Sequence, residues 1–165
     1  MVIIRATRTL LQRLGPPNAA DEVSTTMLGD WYATALTWRP RQVALLVSQH
    51  TLLPVLMPLA PAATLLGRFP AHLAEVLTAH AVPASVITAE TKEATTHRLG
   101  PTTDRSLRGS MNEFAFLAEH HRNGQSDVDL LELSLELSRT PCGPLYGRHV
   151  SPDRELTALV ASSLN

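Results

Sequence analysis

Residues 28–59 read LGDWYATALTW (28–38), RPR (39–41), QVALLVS (42–48), QHT (49–51) and LLPVLMPL (52–59), and this stretch decides the fold class. Three apolar, strand-like runs are separated by two short polar breaks, the pattern of an antiparallel three-strand meander. In the first run Tyr32, Thr34, Leu36 and Trp38 share one face, and Trp31, Ala33, Ala35 and Thr37 share the other. Both faces are partly apolar, so helices are expected to cover at least one. Val43 to Val47 is a continuous apolar run, as expected of a central strand. Pro54 and Pro58 cannot donate to a ladder, which makes the third run an edge strand or a bulged one.

Working outward, residues 2–6 are β-rich and are expected to join the meander. Thr7 can cap a short helix over 8–14, ended by Gly15-Pro16-Pro17. Residues 18–27 are polar and aperiodic, hence a loop. Pro61 opens a short helix over 62–67, and Pro70 opens another over 71–80. Pro83 starts a weaker helical segment to about 93, and 94–99 form a short strand. Thr102 to Ser106 supply capping residues for a long helix with Leu107, Met111, Phe114, Ala118 and His121 on one face, ended by Asn123-Gly124. Ser126 or Asp127 caps the next helix. Residues 131–137 alternate as a strand would, but leucine and glutamate are helix formers and no β-branched residue occurs there, so the segment reads as helix. Residues 140–150 are a Pro/Gly loop, and Ser151-Pro152 start a final helix with Asp153 and Glu155 near its positive end. The expectation is one α+β domain over 1–165: a small antiparallel sheet, three-strand meander plus N-terminal strand, packed with several helices.

The composition bounds the function. The 165 residues are 44% hydrophobic and 18% charged, which supports a packed core over disorder. A formal net charge of -1 argues against a general polyanion binder, so nucleic acid is not an expected partner, while a local basic site stays open. All basic residues but Lys92 are arginine, the better fork for carboxylate or phosphate. One cysteine, Cys142, rules out an intrachain disulfide, and a reduced cytoplasmic setting is expected. The apolar start before Arg5 is too short for a signal-peptide core. Polar residues and prolines interrupt 43–66, so no membrane partner is expected.

Four pieces together, IIRATRTLL (3–11), LGDW (28–31), the meander and TTDRSLRGSMN (102–112), resemble the uncharacterised bacterial family called domain of unknown function 6933. The resemblance reaches to about Arg122. Where the family has an aliphatic residue before the glycine, this chain has Arg108. The resemblance implies no activity, cofactor or substrate; it does imply an association of related domains with plasmid-borne reading frames, and a role beside mobile or defence-linked DNA belongs to the interaction-module hypothesis.

Residues 102–113 are the candidate site. Free N–H groups at a helix start, with Arg105 or Arg108 nearby, can hold a phosphate or carboxylate. Ser106, Ser110 and Asn112 would complete an anion pocket, and Arg5 would join if the first strand lies alongside. The plainer alternative is that Thr103 or Asp104 caps the helix, Gly109 permits close packing and Asn112 satisfies backbone groups. The seven histidines show no metal-ligand spacing, so no metal site is expected. No phosphate-loop or dinucleotide fingerprint calls for a cofactor, and Ser110 is not in a G-x-S-x-G elbow. Cys142 lacks a catalytic context, and Trp31 and Trp38 read as core and sheet-end residues. Catalytic residues are therefore not identified. Two functions fit: an interaction module with an anionic small molecule or a protein as partner, without catalysis, or a small enzyme acting on a phosphorylated or nucleotide substrate.

Overall fold

A computed structural model describes residues 1–165. The strand β1 (Val2–Ala6) leads directly into helix α1 (Arg8–Leu14). After a loop come β2 (Trp31–Leu36), β3 (Val43–Ser48) and β4 (Pro54–Pro58). Then follow α2 (Leu65–Ala79), α3 (Ala84–Ala94), β5 (His97–Pro101), α4 (Arg105–Arg122), α5 (Leu130–Ser138) and α6 (Pro152–Ser163).

The strands form one five-stranded sheet in the order β4-β3-β2-β1-β5. β2 and β3 pair antiparallel, with Trp31 opposite Ser48 and Leu36 opposite Val43, and β3 pairs antiparallel with β4. β1 runs parallel to both its neighbours, Ile4 lying opposite Trp31 on one side and Leu99 on the other. The sheet is therefore mixed, which corrects the expectation of a purely antiparallel one. The cause is connection length. α1 and the loop behind it carry the chain back to the end from which β1 started, and a parallel neighbour needs such a return. The short strand expected over 94–99 forms as His97–Pro101 and completes the sheet beside β1.

Helices cover both faces. Alternation in β2 sends Trp31 and Ala33 into a cluster with Leu10 of α1, Phe69 and Leu73 of α2, and Leu156 of α6. It sends Tyr32 and Leu36 into a second cluster with Leu107, Met111 and Phe114 of α4 and Leu137 of α5. β3 is buried along its whole length, as its continuous apolar run requires. His121, placed on the apolar face of α4 by spacing, is exposed near the helix end.

One helix boundary differs from expectation. Instead of two short helices on either side of Pro70, a 3-10 turn at Ala62–Thr64 runs into a continuous α2 with Pro70 inside it. A proline there costs about 3 kcal/mol. Burial of Leu65, Phe69 and Leu73 returns about 1.5–3 kcal/mol each, so the helix continues.

Both sheet edges are closed by side chains and prolines. On β4 the outward Leu56 N–H donates to Ser134 Oγ of α5 at 2.9 Å, and the flanking outward positions are Pro54 and Pro58. On β5 the Leu99 N–H donates to Asn18 Oδ1 at 2.7 Å, and its carbonyl accepts from the N–H groups of Asn18 and Ala19 at 2.8 and 2.9 Å.

Candidate functional site

The segment 102–112 starts where β5 ends. Asp104 is the N-cap of α4, its Oδ1 accepting the Leu107 N–H at 3.1 Å, while the Asp104 carbonyl accepts the Arg108 N–H at 3.1 Å. The N–H groups of Arg105 and Ser106 donate to no protein atom, as the first turn of any helix allows. Tyr32 of β2 reaches up from the sheet, its hydroxyl 3.1 Å from Thr103 Oγ1.

Pairing of β1 with β5 puts Arg5 opposite Gly100. Arg5 Nη1 lies 3.4 Å from the Pro101 carbonyl, at the head of the segment. Its Nε donates to Asp30 Oδ2 at 2.8 Å, and Ser24 Oγ donates to Asp30 Oδ1 at 2.6 Å while accepting the Ile3 N–H at 2.9 Å. The arginine of the first strand and the aspartate of Leu28-Gly-Asp-Trp31 thus form one polar clasp, largely shielded from water. Spacing in the sequence does not reveal that contact.

The six proposed anion ligands occupy three surroundings. Arg5 is held by Asp30 and Pro101. Ser110 is buried on the sheet side of α4. Arg105, Ser106, Arg108 and Asn112 are exposed. A cavity of ≈ 100 Å³ opens beside the first turn, lined in part by His50, Asp104, Ser106 and Arg148.

The solvent side of α4 has its own order. Arg105, Gly109, Asn112 and Phe116 follow one another at four- and three-residue steps and so form one ridge. Phe116 is 73% exposed. A Cβ placed on Gly109 would meet nothing within 4 Å, so the close packing expected of that glycine is not made within the chain. Glu113 and Glu119 are exposed in the C-terminal half. Arg122 pairs with Glu119 at 3.0 Å and lies 4.7 Å over the Trp38 ring. The sequence reading missed Phe116 as a surface residue. Its signal was available: two residues from Phe114, it must face away from the side that Phe114 buries.

The remaining ionisable groups hold loops in place. Glu155 is buried and takes Arg148 and, at 2.9 Å, His149 Nδ1. Glu90 is buried and accepts the N–H groups of Met27 and Leu28; burial raises its carboxyl above the usual range, and those two bonds oppose the rise. Burial pushes the Cys142 thiol up to about 11, helped by the charge of Glu113, so it stays protonated near neutral pH. No group of three or more His, Cys, Asp or Glu side chains is placed to hold a metal ion. No helix is long and apolar enough to cross a membrane.

No curated protein and no solved structure matches the chain. A family model described as domain of unknown function (DUF6933) matches residues 3–155. That span takes in the β1 clasp, all of the sheet but Val2, and α4, and the chain belongs to this family.

Proposed function

We propose that the chain is a binding module that works without catalysis, in the bacterial cytoplasm and linked to mobile or defence DNA, and that it docks a partner through the outer ridge of α4. The observation that carries this reading is Phe116. A large aromatic ring stands 73% exposed at the C-terminal end of a ridge that also carries Arg105 and Asn112 and that no other part of the chain covers. Aromatic and arginine side chains are the usual anchors of interfaces, and burying one phenylalanine contributes about 1.5–3 kcal/mol. The protonated, buried Cys142 supports a reading without a thiol nucleophile. The test is a photo-crosslinking phenylalanine analogue placed at Phe116 in living cells, with exposed Thr95 as the control position. A covalent adduct specific to position 116 is the expected result. No adduct there, or the same adducts from both positions, defeats the docking reading.

A second reading has its own observation. The unpaired N–H of Ser106 lies at a cavity lined in part by His50, Arg148 and Asp104, with the N–H of Arg105 next along the first turn. The cationic groups and the helix start suit a small anion such as the phosphate of a substrate, and the Asp104 carboxylate opposes it. Under this reading phosphate, sulfate or a nucleotide raises the melting temperature at low ionic strength. Arg105→Ala removes the gain, and Arg105→Lys recovers little because it loses the planar fork. A gain that survives Arg105→Ala and Arg108→Ala, or no gain at all, leaves Asp104 and its helix start as a cap only.

A further inference from the structure

We infer that the occupant of the α4 ridge is a second copy of this chain, packed antiparallel across a two-fold axis near Asn112; this rests on the ridge being a docking surface.

Three features of the ridge are unfavourable in the isolated chain, and one arrangement relieves all three. Phe116 exposes an apolar ring. Gly109 interrupts a helix whose other residues are better helix formers, although nothing in the chain approaches it within 4 Å. Arg105 sits in the first turn, at the positive end of the helix dipole, where the only acidic neighbour, the N-cap Asp104, is already engaged by the Leu107 N–H. Phe116 is a knob and Gly109 a notch, on the same ridge and seven residues apart. That separation is about 10 Å along the axis at the rise of an α-helix. A two-fold axis midway between them, perpendicular to the helix, lays each Phe116 over the Gly109 of the other copy. The glycine lets the two backbones come close enough for the ring to be covered.

Charge follows the same symmetry. The exposed N-terminal half of α4 carries Arg105 and Arg108, and the exposed C-terminal half carries Glu113 and Glu119. Antiparallel packing sets Arg105 and Arg108 of one copy toward Glu113 and Glu119 of the other, with Asp104 at the N-cap and Arg122 beside Glu119 offsetting part of each charge. With the axis midway between Gly109 and Phe116, Arg105 of one copy falls within one residue of Glu119 of its mate, joining the Arg122 that Glu119 already holds. The opposed helix dipoles also favour this direction, and a parallel pair would place like charges together.

The test uses sedimentation equilibrium on the purified full chain. The wild type is expected to be a concentration-dependent dimer, with Phe116→Asp weakening association by at least about tenfold at an unchanged melting temperature of the monomer, since the side chain is exposed. Arg105→Glu and Glu119→Arg should each weaken self-association on their own, because each opposes like charges across the axis. Mixing the two variants should restore a dimer, since both cross-pairs then regain opposite signs. A wild type that stays monomeric at its highest soluble concentration overturns the proposal. So does a dimer indifferent to Phe116→Asp, or a mixture no tighter than its components. If the adduct at position 116 contains a different protein, docking through the ridge stands and self-pairing fails. If position 116 yields no adduct of any kind and the wild type sediments as a monomer, both fail.

Discussion

Two glycines show how residue identity and residue cause separate. Gly29 has φ +77°, and a Cβ there would stand 2.8 Å from Gln49 Oε1 and 2.9 Å from His50 Nε2. The Gln49 oxygen accepts the Asp30 N–H at 3.0 Å, so it cannot move aside without losing that bond. Gly29→Ala should therefore cost about 1–2 kcal/mol, the penalty of a left-handed alanine, read as a lower urea midpoint at unchanged slope. Gly109 is the opposite case, with helical backbone and open space. Gly109→Ala should raise the stability of the monomer by about 0.5–1 kcal/mol in the same assay. Both glycines stand out in the sequence, yet their partners do not. The reason for Gly29 lies in a turn some twenty residues on, and the ion partner of Arg5 is equally remote. The local cap was legible: Asp104 was a named capping candidate and is the N-cap. The three-way split of the anion ligands was not legible, because it depends on which side of α4 faces the sheet.

At the scale of elements, burial decides more than propensity. Leu45 is wholly buried in β3, and Leu45→Ala should destabilise by about 2–5 kcal/mol. A melting curve superimposable on wild type would contradict the packing described. α5 offers a polar counterpart. Ser134→Ala leaves the Leu56 N–H without an acceptor and should cost about 1–3 kcal/mol, with faster amide exchange at Leu56. The continuous run of β3 and the helix formers of α5 could be read directly, because each signal is contained in the element. The direction of β1 could not. Whether a strand enters a sheet parallel or antiparallel is set by the path of the connection, not by its own residues. Pro70 misled for a related reason: a local rule met three buried side chains whose combined contribution exceeds it.

The whole molecule should unfold as one unit, because β2 and β3 contribute to both hydrophobic clusters and neither cluster can open alone. Two separate calorimetric transitions would refute this. Acid should weaken the fold in a defined window. Burial lowers the imidazoles of His72, His80 and His97, so below about pH 6.5 the unfolded chain binds more protons than the folded one and stability falls. Glu90 acts with the opposite sign, since its raised carboxyl makes the folded chain the better proton acceptor. The histidine contribution is lost as the pH falls from about 6.5, and the melting temperature is expected to drop there. Replacing the three histidines by asparagine should flatten the profile. The closed edges of the sheet also bear on synthesis from the N-terminus. β4 leaves the ribosome 78 residues before Ser134 can cover Leu56. During that interval Pro54 and Pro58 already deny the outward edge two of its three donors, so a neighbouring nascent chain finds one lone N–H instead of a ladder. Asn18 precedes Leu99, so β5 emerges with its covering partner already made. Each of the two final edges is guarded by residues that exist when it first appears, and the one strand left waiting for its partner during synthesis is β1, whose second neighbour β5 comes some ninety residues later.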